Sequence, residues 1–169
     1  MIYPIVKYGD PVLEKPCQRV TEFNDDLKKL LEDMFESMYA AHGVGLAAPQ
    51  IGIAKRIAVI DVTFKEDPKA KLVLINPEII AKEGRQRSTE GCLSIPEFRE
   101  EVTRAKTVTV RAQDADGKFY EHTGEDLLAR ALLHETDHLN GKLYILHISA
   151  LKRDLIKRRI KKLMKAGEW

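Results

Sequence analysis

The segment best equipped for chemistry is His134-Glu135-Thr136-Asp137-His138, an H-E-x-x-H pattern with its histidines four positions apart. On a helix this spacing stacks both imidazoles on one face, so a single metal ion can be held by the pair. Glu135, beside the first histidine, can take a proton from a water activated by that ion without being a ligand itself. The neighbouring residues support a helix. Leu127, Ala131, His134 and His138 share one stripe, and Leu128, Leu132, Glu135 and Leu139 form the adjacent one. The polar groups thus continue an apolar, core-facing surface, where burial is costly unless partners are present, and a metal supplies them. A solvated helix that merely happens to carry two histidines fits that stripe poorly.

Two histidines do not complete a site. Cys92 lies in Glu90-Gly91-Cys92-Leu93-Ser94-Ile95-Pro96, a turn-like stretch just before a strand. Its thiolate would make a Cys-His-His set and leave one tetrahedral position open for water. By itself the segment equally suits a small buried cysteine. A further segment runs Gly43-Val44-Gly45-Leu46-Ala47-Ala48-Pro49-Gln50-Ile51-Gly52. Its small residues allow another backbone to approach closely. Gln50, its uncharged polar side chain, could donate a hydrogen bond to a developing oxyanion. The same residues also suit a helix end and a tight turn into a strand. A phosphate loop is excluded, since no Lys-Ser/Thr ending and no preceding strand are present.

Taken in order, these segments resemble the three signature motifs of the peptide deformylase family: G-x-G-x-A-A-x-Q, E-G-C-x-S and H-E-x-D-H. The resemblance extends from Ile5-Val6-Lys7-Tyr8-Gly9-Asp10-Pro11 to the region of Lys165, nearly the whole chain. It implies removal of the formyl group from the N-terminal formylmethionine of new proteins, with release of formate. Cys92, His134 and His138 would hold the metal, and Glu135 would be the general acid/base. Gln50 and the Leu93 N–H would form the oxyanion hole, and the backbone around Val44, Gly45 and Gly91 would hold the peptide in an extended pose. The implied ion is ferrous iron, with zinc or nickel as substitutes. Val44, Leu128 and Ala131 are expected beside the methionine side chain. A close-walled formyl pocket is expected to exclude larger acyl groups.

These residues need elements to position them. Asn24-Asp25-Asp26 offers an N-cap with acidic residues in the first turn, and Leu27, Leu30, Leu31, Met34, Phe35 and Met38 follow at helical spacing to a stop near His42-Gly43. Strands are predicted over residues 56–62, over 71–75 up to Asn76-Pro77, and over 107–111 and 118–121, the last two flanking an Asp116-Gly117 hairpin turn. The H-E-x-x-H helix is predicted to begin near Thr123, with Asp126 in a capping-box-like position, and to stop at Asn140-Gly141. Strands following one another without helices between them argue for an α+β fold with mostly antiparallel sheets. The resemblance implies the same architecture, with the H-E-x-x-H helix packed among the sheets.

At 169 residues, without repeats or linker-like tracts, the chain reads as a single domain, 1–169. No apolar run has bilayer length and the first residues carry no targeting pattern, so a cytosolic location, the bacterial cytosol under the resemblance, is expected and a membrane partner is not. A net charge of +2 is too small to argue for a nucleic-acid binder. Cys17 reads as structural, and His42, His122 and His147 as ordinary histidines rather than ligands. Roughly residues 149–165 form a basic helix with Leu151, Leu155, Ile156, Ile160 and Leu163 as its apolar stripe. A solvated helix docked on the body accounts for it, while the family resemblance adds contact with the ribosome that presents the nascent chain. Rival readings remain. A zinc metalloprotease would take a third ligand downstream, where His147, Asp154 and Glu168 are the candidates. A structural metal clip would need a fourth protein ligand. A nucleophilic-cysteine hydrolase would use Cys92 without metal.

Overall fold

In the computed structural model, which describes residues 1–169, the Asn24 side chain accepts a hydrogen bond from the Leu27 amide at 3.0 Å and so starts helix α1, Asp25–Ala40. His42 follows in the left-handed region, φ +58°, and turns the chain into strand β1, Gly45–Ala47. Six further strands come in succession: β2 Ile57–Ile60, β3 Leu72–Glu83, β4 Gln86–Cys92, β5 Ile95–Arg104, β6 Thr107–Gln113 and β7 Phe119–Glu125. Helix α2, Leu127–Leu139, and helix α3, Ala150–Lys165, complete the fold. Five strands form an antiparallel sheet in the order β1-β2-β3-β6-β7, and β4 pairs with β5 as a separate hairpin. The α+β class with antiparallel sheets and three helices is as predicted.

Both faces of the large sheet are covered. Ile57 and Val59 of β2 face α1 and pack with Leu31, Met34, Phe35 and Met38. Ala58 and Ile60 face α2 and pack with Ala129, Leu132 and Leu139. Alternate residues of a strand point to opposite faces, so a strand covered on both sides reads as the continuous apolar run Ile57-Ala58-Val59-Ile60, buried throughout. A third cluster joins Ile95 and Val102 of the hairpin to Leu143, Tyr144 and Ile145 and to Ile156 and Ile160 of α3.

Several predicted boundaries differ. Strand β3 does not end at Asn76-Pro77 but bends there and continues to Glu83. Asn76 sits at φ +51°, and its amide exchanges hydrogen bonds with the Val20 backbone, both at 2.9 Å, which ties the N-terminal segment to the bend. Thr123 does not begin the helix: it pairs with Thr109 in the β6–β7 ladder, the two hydroxyls 2.8 Å apart. Asp126 does stand at the N-cap of α2, but it makes no capping bond and turns the chain at φ +54°. On α3 the buried stripe is Ile156, Ile160 and Leu163, whereas Leu151 and Leu155 are exposed. The body lies to one side of the helix, and the wider stripe runs beyond its contact.

Candidate metal centre

Helix α2 lies against β1, β2 and β7 with its second half under the hairpin, so His134 and His138 are buried although polar. Their Nε2 atoms approach to 3.2 Å, and that of His138 lies 3.4 Å from the Cys92 Sγ. One donor atom from each of Cys92, His134 and His138 falls within 4.8 Å of the others. Cys92 reaches them because the β4–β5 register shifts between Gly91 and Cys92, which turns the end of the strand toward α2.

This donor set fits a divalent cation. Burial disfavours a charged His134, yet hydrogen bonds to Cys92 and Glu90 hold its pKa well above the ordinary histidine value. Burial and the neighbouring His134 charge push His138 well below it. The three donors converge on one point, with thiolate and imidazole chemistry that suits first-row ions.

The His134 ring is fixed from behind. Its Nδ1 lies 3.1 Å from Glu90, which also accepts from Arg104 at 3.0 and 2.7 Å and from Arg130 at 2.9 Å. These bonds outweigh the effect of burial and keep the Glu90 carboxyl far below the usual carboxylate range. Arg104 continues to Asp137 at 2.9 Å, and Asp137 to His147 at 2.9 Å. Such outer partners hold a histidine in one tautomer with the opposite nitrogen free to ligate. Sequence reasoning did not identify Arg104 or Arg130. A signal existed for Arg130: it sits one helical turn before His134 on the face that enters the core, and a buried arginine requires an anion.

Glu135 stands apart from this network. Its side chain is buried and its Oε1 has no hydrogen-bond partner. Burial first, then the nearby carboxylates Glu90 and Asp137, raise its pKa to about 7 against the pull of His134 and Arg104. Gly45 makes room for it, since a Cβ there would lie 2.4 Å from Glu135 Oε2. Gln50 arrives from the short 3₁₀ turn Ala48–Ile51: its Oε1 accepts from the Ala47 amide at 3.0 Å, which aims the Nε2 at Ser94 and Cys92, 3.2 and 3.6 Å away.

A cleft of about 480 Å³ opens onto these groups, and Val44, Gly45, Gln50, Gly91, Cys92, Leu93, His134 and Glu135 all line it. The structure thus brings these predicted residues to one surface, and the buried His138 joins them through Cys92. One expectation is corrected. Leu127 and Ala131 line the cleft, while Leu128 packs over Gly124 on the core between sheet and helix. The cleft meets α2 along the stripe of Leu127, Ala131 and His134, and Leu128 lies on the adjacent one. Among the ordinary histidines, His147 binds Asp137 and His42 lines the cleft.

A family model described as polypeptide deformylase matches residues 2–154. A peptide deformylase of Acidobacterium capsulatum is 64% identical over 169 residues, covering 100% of this chain and 99% of that protein. One from Thermodesulfovibrio yellowstonii is 48% identical over 160 residues, covering 95% and 97%. Among solved structures, a peptide deformylase from Legionella pneumophila superposes with a TM-score of 0.91 at 44% identity, covering 99% of this chain and 98% of that one.

Proposed function

The chain belongs to the peptide deformylase family, metal-dependent enzymes that remove N-terminal formyl groups from nascent peptides, and on that premise we propose which of its residues perform each part of the reaction. Cys92, His134 and His138 hold the ion, Glu135 moves the proton, and Gln50 with the Leu93 amide receives the oxyanion. When bound, the ion supplies a Lewis acid that acidifies water and polarises the formyl carbonyl. Glu135 accepts a proton from the water that adds to the formyl carbon. The C–N bond then breaks, Glu135 passes that proton to the amine, and formate leaves with a free N-terminus. A carboxyl poised near neutrality can perform both transfers, and a preorganised amide N–H stabilises the charge that grows between them. The observation that carries this reading is the buried, partnerless Glu135 oxygen beside a set of three convergent metal donors.

The ion we propose is ferrous iron, with zinc or nickel able to replace it. A thiolate-bound ferrous site open to water is expected to lose activity in air while nickel-loaded protein keeps it; equal decay of both forms would count against iron. We place the enzyme in the cytoplasm, where nascent chains appear. No helix of the protein is long and apolar enough to cross a membrane. The outer face of α3, with Lys157, Arg158, Arg159, Lys161, Lys162 and Lys165 exposed, is proposed to contact the ribosome. Glutamine at Lys157, Arg158, Lys161 and Lys162 should abolish salt-sensitive co-sedimentation; undiminished co-sedimentation would exclude that face.

The reaction is tested by formate release from a formyl-methionyl tripeptide with nickel-loaded protein. Turnover removed by a chelator and restored by metal is expected. Folded, metal-loaded protein without turnover would overturn the proposal.

A further inference from the structure

Past the end of α2, Gly141 at φ +74° turns the chain back against the β4–β5 hairpin. Leu143, Tyr144 and Ile145 are buried there, with Tyr144 opening a short 3₁₀ turn that runs to His147. The Tyr144 ring lies near-parallel to the His134 imidazole, centroids 6.3 Å apart and planes 21° from one another. Glu90 already holds the His134 Nδ1 at 3.1 Å, and His138 stands edge-on to the same ring at 4.9 Å. A hydrogen bond to one ring nitrogen fixes that atom but leaves the ring free to tilt about it, because the outer torsion of a histidine has a broad well. Such a tilt would swing Nε2 away from the point shared with Cys92 and His138. A flat neighbour on one face limits it.

The far end of Tyr144 reaches the hairpin. A buried phenol needs a partner for its hydroxyl, and this one donates to the Phe98 carbonyl at 3.3 Å. That carbonyl belongs to an irregular stretch. Gly91 pairs with Arg99 but Cys92 with Ile95, so the register passes over Pro96, Glu97 and Phe98. Glu97 is left-handed there, at φ +73°, and all three residues line the cleft. Cys92 packs against the same apolar cluster as Tyr144, so one side chain stands between a metal ligand and a wall of the cleft.

Resting on the metal-dependent deformylase reading of the site, we propose that Tyr144 is a positioning residue with two separable ends: its ring sets the tilt of His134 toward the ion, and its hydroxyl holds the cleft wall at residues 96–98. Glu90 fixes where the imidazole is anchored, and Tyr144 fixes how it is turned.

The test loads the intact protein with cobalt for spectroscopy and with nickel for turnover. Y144F keeps the ring and deletes the hydroxyl. It should retain the wild-type thiolate-to-cobalt charge-transfer band and the wild-type metal affinity in chelator competition. Its KM for formyl-Met-Ala-Ala should rise about 2- to 10-fold, the effect of one hydrogen bond, with kcat constant. Y144M and Y144L fill the space with apolar groups that have no flat face, so that poor folding of one leaves the other. In the folded ringless variant, metal affinity should fall roughly 10- to 100-fold and the cobalt band should move. A purely structural role would lower the denaturation midpoint and leave that band in place. A wild-type band and affinity in a folded ringless variant, an unchanged KM in Y144F, or a band displaced in Y144F overturns the proposal. Wild-type protein that binds cobalt but releases no formate from nickel-loaded turnover would overturn the deformylase reading instead, since the spectra and affinities do not depend on activity.

Discussion

Glu135 and Gly45 show how tightly the site is drawn around single atoms. A methyl group on Gly45 would run into the Glu135 side chain, its carboxylate oxygen at 2.4 Å. G45A is therefore expected to displace Glu135, the proposed general acid/base, and lower kcat by ~10²-fold or more, within the range that positioned proton transfer contributes, with little change in the unfolding midpoint. Glu90 acts at one remove. Two arginines and the His134 Nδ1 converge on it in a buried position. In E90Q the arginines lose their anionic partner and His134 loses its orienting anion, so metal affinity is expected to fall roughly 10- to 100-fold, read by competition with a chromophoric chelator. Unchanged affinity would mean that the metal ligands are held by packing alone.

At the level of elements, turns decide where strands and helices deliver their side chains. The Asp61 loop joins β2 to the segment leading to β3, and its carboxylate is also the partner of Tyr39 on α1. Burial alone would raise the Asp61 pKa, but hydrogen bonds from Tyr39, Thr63 and Lys65 outweigh it and lower the value to about 2 from 3.8. A carboxyl depressed on folding stabilises the native state above its unfolded pKa and loses that contribution as pH falls through the folded one. Wild type should therefore lose stability as pH falls from about 3.8 toward 2. D61N should be less stable at neutral pH, with the gap closing across that window in denaturation midpoints. A constant gap would show that the cost of D61N is steric, not protonic.

The whole molecule explains why α3 cannot be regarded as an appendage. Ile156 and Ile160 close a core with Ile95, Val102 and Tyr144, beneath the hairpin that carries Cys92. Truncation at Ala150 would therefore open the core as well as remove the basic face, and charge-neutralising substitutions on the exposed face are the cleaner probe of ribosome contact. I160A, at a residue 1% exposed, should cost about 2–5 kcal/mol in chemical denaturation. It should also loosen Cys92 enough to weaken metal binding, coupling a distant core to the site. Loss of stability without weaker metal binding would show the hairpin to be held by its own pairing.

Much of this was legible in the residues. The H-E-x-x-H stripe, the Asn24 cap, the Asp116-Gly117 turn and the alternation of strands depend on groups a few positions apart, and helical or pleated periodicity alone places such groups on one face. Thr123 was misassigned for the same local reason: a hydroxyl three positions before an acid reads as a cap until a partner strand offers Thr109. What tertiary structure decided spans longer distances. Cys92 meets His138 across 46 positions, Glu90 gathers Arg104 and Arg130 from β5 and α2, and Phe64 meets His42 from a separate loop. Such encounters depend on strand register and on which face each helix buries, and these are settled only when the two layers pack on the sheet. The sequence by itself determined which chemistry was available; packing decided which groups orient it.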